Sequence, residues 1–300
     1  MAKTSKAFIS GALLCASAML VSGNLSISAQ TVEEKNNYVP DEPLWEVRIG
    51  GTGLYGPDYP GASDNSGNGV VAPLVIYRGE KIRFGEYGVA RAIAAENQRF
   101  ELDLSLDAVY SANSTEGGVR EGMPDLDYLL QIGPQLIVNF ADTGWTVDGR
   151  KSLKLRTPIR AVAATDFTGI EHVGYIAEPQ LVYQRKYGGD LRSGWSTTLF
   201  ATFGDEGLND YWYGVGPQFV TADRGYHEGK AGYVSTGFRA SWTRELTDDF
   251  QIFLTYQGRS FSGAANEDSP LLQEDFTHAA SVSFVWKAFK SKRAARNDDM

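Results

Sequence analysis

The stretch that decides the fold covers residues 120–140 and reads REGMPDLDYLLQIGPQLIVNF. It begins with a turn, because Gly122 tolerates unusual backbone angles, Pro124 restricts φ and Asp125 can hydrogen-bond nearby backbone. The rest alternates with the two-residue period of a β-strand. One face is apolar and consists of Leu126, Tyr128, Leu130, Ile132, Leu136, Val138 and Phe140. The other face is largely uncharged and polar and consists of Asp127, Gln131, Gln135 and Asn139. Such a strand is typical of a wall with lipid outside and water inside.

The same alternation recurs along the chain and predicts an all-β protein, an antiparallel transmembrane β-barrel of about 12 strands, or ~10 in the alternative count. The predicted strands are 44–53, 70–78, 81–95, 99–111, 126–140, 153–163, 173–187, 195–203, 211–220, 231–246, 250–261 and 276–289. All of them reach the length of about 9–11 residues that a tilted membrane strand needs, and several are longer, whereas strands of a soluble β-sandwich average about 5–6. No stretch shows helical periodicity.

The beginning of the chain predicts export. Lys3 and Lys6 precede a short apolar run, and Ile27-Ser28-Ala29 offers a cleavage site, so residues 1–29 are predicted to be a signal peptide. Residues 30–43 are then a polar periplasmic lead-in, 44–289 the barrel and 290–300 a polar C-terminal tail. An exported barrel is expected in the outer membrane of a Gram-negative cell, with lipid as its first partner.

Composition excludes some functions. The chain has 28 basic and 37 acidic residues and a net charge of −9; without Lys3 and Lys6 it has 26 against 37, or −11. This balance argues against nucleic acid as a partner. Cys15, the one cysteine, lies in the predicted signal peptide, so the exported chain is expected to have no disulfide and no thiol chemistry.

Four short motifs carry a family resemblance. They are PDYPG at 57–61, PLVIYRG at 73–79, RxGMPDLD at 120–127 and DSPLL at 268–272. In this order and spacing the chain resembles the MltA-interacting protein family (MipA/OmpV) of bacterial outer-membrane proteins. The resemblance implies a scaffold that anchors peptidoglycan-remodelling enzymes, a lytic transglycosylase and a penicillin-binding protein, to the outer membrane. Two other functions stay open: a small-solute channel, and a surface-exposed adhesion or immune-contact protein.

Residues that could carry chemistry are sparse. His172, His227 and His278 have no metal-ligand spacing to one another, and no Ser/His motif is present. We therefore predict a protein that is not an enzyme, with no catalytic, cofactor or metal residues. The one candidate site is a partner-binding loop formed by Gly122, Met123, Pro124, Asp125 and Asp127.

The side of the membrane on which this loop lies follows from counting strands. If the N-terminus is periplasmic, the loop 54–69 faces outward and the loop 112–125 faces the periplasm. The second loop is long for a periplasmic turn. Either it is long because a periplasmic partner binds it, or the count slips by one near Gly85 and Gly88.

The polar strand faces predict the chemistry of the lumen. Its predicted charged residues are Glu46, Arg48, Glu101, Asp103, Asp107, Lys154, Arg156, Arg160 and Glu178. The fourth strand is acidic and the sixth basic, which predicts ion pairs across a constricted lumen and favours the scaffold over an open pore. Aromatic residues near strand ends predict interface girdles: Trp45, Tyr77, Tyr110, Trp195, Tyr211, Trp212, Tyr213, Trp242, Tyr256 and Trp286.

Overall fold

The computed structural model describes residues 43–78, 83–84, 100–109, 118–144, 146, 148–187 and 192–293. Its strands are β1 (Trp45–Pro57), β2 (Asn65–Arg78), β3 (Arg83–Phe84), β4 (Phe100–Val109), β5 (Tyr128–Asp142), β6 (Arg150–Thr165), β7 (Ile170–Ala177), β8 (Gln180–Lys186), β9 (Ser193–Gly204), β10 (Gly232–Glu245), β11 (Phe250–Ser260) and β12 (Phe276–Lys290). Helix α1 (Glu206–Tyr213) and a 3-10 turn (Pro217–Phe219) complete the elements. The predicted signal peptide, most of the strand predicted at 81–95 and the last seven residues of the tail lie outside the described residues.

The strands form a single antiparallel sheet in the order β3-β2-β1-β12-β11-β10-β9-β7-β6-β5-β4. β1 pairs with β12, so the first and last strands are neighbours. β7 and β8 correspond to the one strand predicted at 173–187; both pair with β6 and β9, and Glu178 and Pro179 separate them. The prediction of an antiparallel all-β protein is confirmed.

The sheet is apolar on its outer face and polar on its inner face. In β5, Gln131 is 3% exposed, whereas the neighbouring Ile132 is 51% exposed. Across the sheet the exposed residues include Val71, Val75, Phe100, Leu102, Leu136, Ile159, Leu181, Leu199, Leu254 and Val282. The buried polar residues include Ser105, Gln135, Lys154, Arg156, Arg160, Gln180, Thr198, Ser241 and Ser281. The two predicted faces of β5 are confirmed, except that Leu126 precedes the strand and that Leu129 and Ile137 lie on the inner side.

Helix α1 contradicts the strand predicted at 211–220. The Asp205 side chain accepts a hydrogen bond from the Leu208 backbone N–H at 3.0 Å, which caps the helix. The prediction was wrong because bulky aromatics favour strands locally, while here tertiary burial outweighs that preference. Trp212 and Tyr213 are 3% and 1% exposed, so they are core residues and not part of a girdle.

Other predicted girdle residues do lie on the outer face. Trp45, Trp242, Tyr256 and Trp286 are all more than a third exposed. Tyr110 and the side chain of Tyr77 lie outside the described residues. Within the described part of the chain, no helix is long and apolar enough to cross a membrane.

The connections differ in length at the two ends of the strands. The described residues of the connections after β1, β4, β6, β9 and β11 lie at one end and are 58–64, 118–127, 166–169, 205–231 and 261–275. The other end carries the start of β1, the end of β12 and the described residues of the connections after β5, β8 and β10, which are 143–144, 146, 148–149, 187, 192 and 246–249. The loop predicted at 54–69 is shorter than expected, since β1 continues to Pro57 and β2 begins at Asn65.

This arrangement corrects the strand count. β3 and β4 both run toward the end with the long connections, so the loops after β1 and β4 lie on the same side. The described part of the second loop, 118–125, therefore lies on the same side as the first loop, and its expected place on the periplasmic side was wrong. The alternative, a slip in the strand count between the second and the fourth predicted strand, agrees with these directions. By the rule that short turns and termini are periplasmic, the end with the long connections faces outward.

We predict that Ile132→Arg destabilises the protein in lipid vesicles by about 2–4 kcal/mol, because it places a charge on the apolar outer face. Ala222→Arg, on an exposed bend outside the strands, is the control and should leave stability unchanged within about 0.5 kcal/mol. Urea unfolding, followed by the gel shift between unboiled and boiled samples, measures both. Equal stability of the two variants would contradict the assignment of the outer face to lipid.

Candidate functional site

The long connections fold together over one end of the sheet. We call residues 58–64, 118–127, 205–231 and 261–275 the cap. Their apolar side chains form a core with inward residues of the sheet. The members from the cap are Tyr59, Ala62, Met123, Leu126, Leu208, Trp212, Tyr213, Val215, Phe261, Ala264 and Leu271, and those from strands are Leu129, Val162, Ala164, Ile176 and Val234. The inner face is therefore apolar beneath the cap and polar farther along the strands.

Two buried tyrosines join three segments of the cap. The Tyr59 hydroxyl donates to the Leu271 carbonyl oxygen at 2.7 Å, and the Tyr213 hydroxyl donates to the Pro60 carbonyl oxygen at 2.9 Å. The Ser269 hydroxyl donates to the carbonyl oxygen of Tyr213 at 2.8 Å. Burial raises the pKa of both phenols, so they stay protonated donors.

Two arginines join the loop after β4 to the segment after β9. Arg120 donates to the Trp212 carbonyl oxygen at 3.2 Å, and its guanidinium carbon lies 5.7 Å from the centre of the Tyr59 ring. Arg224 donates to the carbonyl oxygens of Val119 and Glu121 at 2.6 and 3.0 Å. Burial lowers the pKa of Arg120, yet a guanidinium remains charged at neutral pH. Arg224 thus satisfies two backbone carbonyls of the loop, and Arg120 of the loop satisfies one backbone carbonyl of the segment after β9.

Helix α1 rests on the sheet at a glycine. A Cβ atom at Gly174, where φ is +148°, would lie 2.2 Å from Asp205 Oδ1 and 2.6 Å from the Leu208 nitrogen. The capped first turn of the helix can approach β7 only because this position has no side chain. At the other end of the helix, the Tyr211 hydroxyl accepts a hydrogen bond from the Asp127 N–H at 2.7 Å.

Hydrogen bonds also connect the segments after β9 and β11. His227 Nε2 lies 3.1 Å from Asn266 Oδ1, and Asn266 Nδ2 donates to the Lys230 carbonyl oxygen at 2.9 Å. His227 and Asn266 are both buried, so the histidine has a structural role here. Among the described residues, no group of three or more His, Cys, Asp or Glu side chains is placed to hold a metal ion.

The predicted partner-binding loop lies in the cap. Its Met123 is buried in the core, while Gly122, Pro124 and Asp125 are exposed and Asp127 is half-buried. Gly122 adopts a φ of +77°, which fits its predicted role in a turn. Of the five residues, Met123 is part of the core, and the other four form a short surface that solvent reaches. Partner binding at this surface stays a prediction.

Three of the four sequence motifs meet in the cap. Tyr59 of PDYPG contacts Leu271 of DSPLL, and Arg120 of RxGMPDLD lies against Tyr59. The fourth motif, PLVIYRG, lies in β2 and the residues that follow it. The sequence analysis did not predict helix α1 or the role of Arg224, because neither is marked by a periodic pattern. The available signal for the helix was Asp205, a capping residue, followed by the acidic Glu206.

A cavity of about 240 Å³ lies beneath the cap, and its lining contains six charged side chains: Asp58, Asp107, Arg160, Glu178, Arg239 and Arg259. Arg160 lies 3.4 Å from Asp107, and Arg259 lies 3.5 Å from Glu178. Asp107 is on β4 and Arg160 on β6, so the predicted ion pairing between the fourth and sixth strands is confirmed. Farther along, Arg48 pairs with Glu46 at 2.8 Å. The side chain of Asp103 lies outside the described residues.

The exposed apolar outer face, the buried polar inner face and the adjacent first and last strands define an outer-membrane β-barrel protein. A family model described as MltA-interacting protein MipA matches residues 49–288, and the chain belongs to this family. The protein is located in the outer membrane, as the resemblance implied.

Solved structures of outer-membrane proteins are similar to the chain at low identity. The NanC porin is 11% identical, with 81% of this chain and 99% of that chain covered and a TM-score of 0.34. The toluene transporter TodX from Pseudomonas putida is 11% identical, with 84% and 91% covered and a TM-score of 0.30. OprG from Pseudomonas aeruginosa is 9% identical, with 82% and 96% covered and a TM-score of 0.20. No curated protein matches the chain.

We predict that Tyr59→Phe destabilises the cap by about 1–3 kcal/mol, because the buried Leu271 carbonyl loses its donor. Tyr226→Phe is the control, since Tyr226 is exposed at the same end. Limited proteolysis of the cap at increasing urea measures the change. Equal resistance of the two variants would show that the Tyr59 hydroxyl does not hold the cap together.

A second prediction concerns Asp127, whose pKa is raised by burial and by repulsion from Asp166, Asp125 and Glu171. A carboxyl with a raised pKa in the folded state stabilises the fold below its unfolded pKa of about 3.9, and that contribution is lost as pH rises through the folded value. Asp127→Asn should therefore increase stability at pH 7.5, by no more than about 1 kcal/mol, and leave it unchanged at pH 3.

The measurement is the urea midpoint of the full chain at the two pH values. Asp249→Asn removes the same charge at the opposite end and is the control. A gain for Asp127→Asn at pH 3 as large as at pH 7.5 would contradict the electrostatic explanation.

Proposed function

We propose that the protein is a non-catalytic scaffold that anchors peptidoglycan-remodelling enzymes to the outer membrane. The observation that carries the proposal is the cap, whose apolar core packs against inward residues of the sheet beneath the long connections. This apolar core is held by buried hydrogen bonds between three segments of the cap, so it opposes the flow of solutes. We therefore favour a binding role over a channel. The family description, an MltA-interacting protein, supports a lytic transglycosylase as the partner, and a penicillin-binding protein is proposed with it.

The surface proposed for these partners is the end with the short turns, because peptidoglycan lies on the periplasmic side. Arg192 there contacts Glu245 at 3.1 Å and Asp248 at 2.7 Å, and all three side chains are exposed. Because these side chains are solvated, each can give up its present ion pair and form one with a partner protein instead. The exchange costs little folding stability.

A second candidate is contact with a surface outside the cell, such as adhesion to another cell. The observation that favours it is a group of exposed apolar residues at the outward end: Phe167, Ile170, Val220 and Tyr226. The predicted loop with Gly122, Pro124 and Asp125 is exposed at that same end. For this function, the loop is the proposed contact surface.

We expect the purified full chain in detergent to capture a purified lytic transglycosylase. Arg192→Glu should weaken that capture about fivefold, because a rim charge is reversed, whereas Asp125→Lys at the opposite end should not change it. Surface plasmon resonance with the immobilised barrel measures the affinities, and a penicillin-binding protein is tested in the same way.

Two results would count against the scaffold. If neither enzyme is captured, the proposed partners are wrong; if only Asp125→Lys weakens capture, the docking surface is the cap and not the short turns. Large and stable conductance steps in a planar bilayer would instead support the channel.

A further inference from the structure

The charges that line the cavity beneath the cap balance one another. Among the described residues, the lining has three carboxylates and three guanidiniums: Asp58, Asp107, Glu178, Arg160, Arg239 and Arg259. Two of the guanidiniums lie in the pairs Arg160–Asp107 and Arg259–Glu178. A ligand with a net charge would leave one charge uncompensated in a buried site, so the lining favours an uncharged ligand.

The third guanidinium, Arg239, is already held by neighbouring side chains. It donates to Gln257 Oε1 through Nε at 3.0 Å and through Nη2 at 2.8 Å. Its guanidinium carbon lies 5.4 Å from the centre of the Phe200 ring, and that of Arg259 lies 4.9 Å from the same centre. These contacts fix the shape of the cavity before a ligand arrives, which lowers the entropy lost on binding.

Three other atoms of the lining have unmet hydrogen-bonding capacity. In the described part of the chain, Asp58 Oδ1, Gln131 Oε1 and Arg160 Nε are buried and have no hydrogen-bond partner. The side chains of Gln131 and Arg160 belong to residues that are only 3% and 4% exposed. Two of the atoms are acceptors and one is a donor, so a ligand that satisfies all three must both donate and accept hydrogen bonds. Uncharged hydroxyl groups do both.

The lining has an apolar side as well as a polar one. Toward the cap it contains the aromatic residues Tyr59 and Trp212, which are 5% and 3% exposed. Elsewhere it contains small polar side chains such as those of Thr52, Asn68, Thr255, Ser281 and Ser283. An ordered water needs about 2–4 polar partners and finds few beside the two aromatic rings. The ring of a sugar, by contrast, has C–H groups on its faces and hydroxyl groups around its edge, which matches both sides.

We propose that this cavity binds one uncharged sugar ring. Hydroxyl groups of the sugar donate to Asp58 Oδ1 and Gln131 Oε1 and accept from Arg160 Nε, and one face of the ring packs against Tyr59 and Trp212. At about 240 Å³ the cavity is smaller than the roughly 300–1,000 Å³ of common ligand pockets, so a monosaccharide is the expected size. The scaffold function does not require this ligand.

A comparison of sugars with the same ring size and different charge tests the proposal. The uncharged sugars are D-glucose, D-galactose and D-mannose, and each is compared with its own uronate and its own 2-amino sugar at pH 6. Isothermal titration of the unmodified full chain is performed in lauryldimethylamine oxide, a detergent without a sugar head group, at constant ionic strength. We expect at least one uncharged hexose to bind with one-to-one stoichiometry and at least tenfold more tightly than both of its charged counterparts.

Gln131→Leu should weaken the binding of that hexose at least fivefold, because an apolar side chain of similar size replaces the acceptor that meets the ligand. Gln135→Leu is the matched control, since it makes the same change farther along the buried inner face of the same strand. It should change the affinity less than twofold. The heat-dependent gel shift confirms that each variant is folded.

Asp58→Asn tests the balance of charge directly. The variant leaves three guanidiniums against two carboxylates in the described lining, so the affinity for the uronate should rise at least fivefold. Asp64→Asn removes the same charge from an exposed position in the same loop and should leave the affinity for the uronate unchanged.

Four results would overturn the proposal. They are no binding of any hexose, which would mean that water alone fills the cavity; equal binding of a hexose and its charged counterparts; equal loss in the two glutamine variants; and an unchanged affinity for the uronate in Asp58→Asn. Failure of the hexoses to bind has no bearing on enzyme capture, so the sugar site and the scaffold are tested separately.

Discussion

Hydrocarbon offers no hydrogen-bond partner, and this constraint governs the whole structure. A strand in lipid must have its backbone groups paired by neighbouring strands, which accounts for the continuous antiparallel ladder and for the pairing of β1 with β12. The same constraint reverses the distribution of side chains found in water-soluble proteins. Ile132 and Leu136 are exposed, whereas Gln131 and Gln135 are buried. Polar side chains are then brought together on the buried inner face, where each needs a partner. The pairs Arg160–Asp107 and Arg259–Glu178 follow from that need.

The cap is organised like a water-soluble protein, with apolar side chains inside. Its apolar side chains have no lipid to face, so they are buried against one another and against Leu129, Val162 and Ile176 of the sheet. Loops have few backbone partners of their own, and here the side chains of Arg120, Arg224, Tyr59 and Tyr213 provide them. The protein thus combines two environments, an inverted barrel wall and a conventional small core at one end.

The boundary between these two environments is where the charged cavity lies. Tyr59 and Trp212 border it on the cap side, while Asp107, Arg160 and Glu178 border it on the barrel side. Apolar walls strengthen the electrostatic interactions of the charges beneath them, because they keep water away. A barrel without a cap would leave the same arginines hydrated, and their field would be screened.

The sequence alone determined the fold class and most of the strands. A two-residue period is a local property that depends only on which residues alternate, so β4, β5, β6, β11 and β12 were all predicted close to their observed bounds. The polar faces of those strands also predicted the charges of the lumen and the pairing of Asp107 with Arg160.

The tertiary structure decided what happens between the strands. The aromatic run at Tyr211, Trp212 and Tyr213 was predicted as a strand, yet burial in the cap and the Asp205 side chain make it a helix. The side on which Gly122–Asp127 lies depends on every strand before it, so one miscounted strand reversed it. Contacts such as Tyr59 to Leu271 and Arg239 over Phe200 join residues far apart in the chain. No local pattern encodes those distances, because they arise only when the sheet brings its loops and its inner face together.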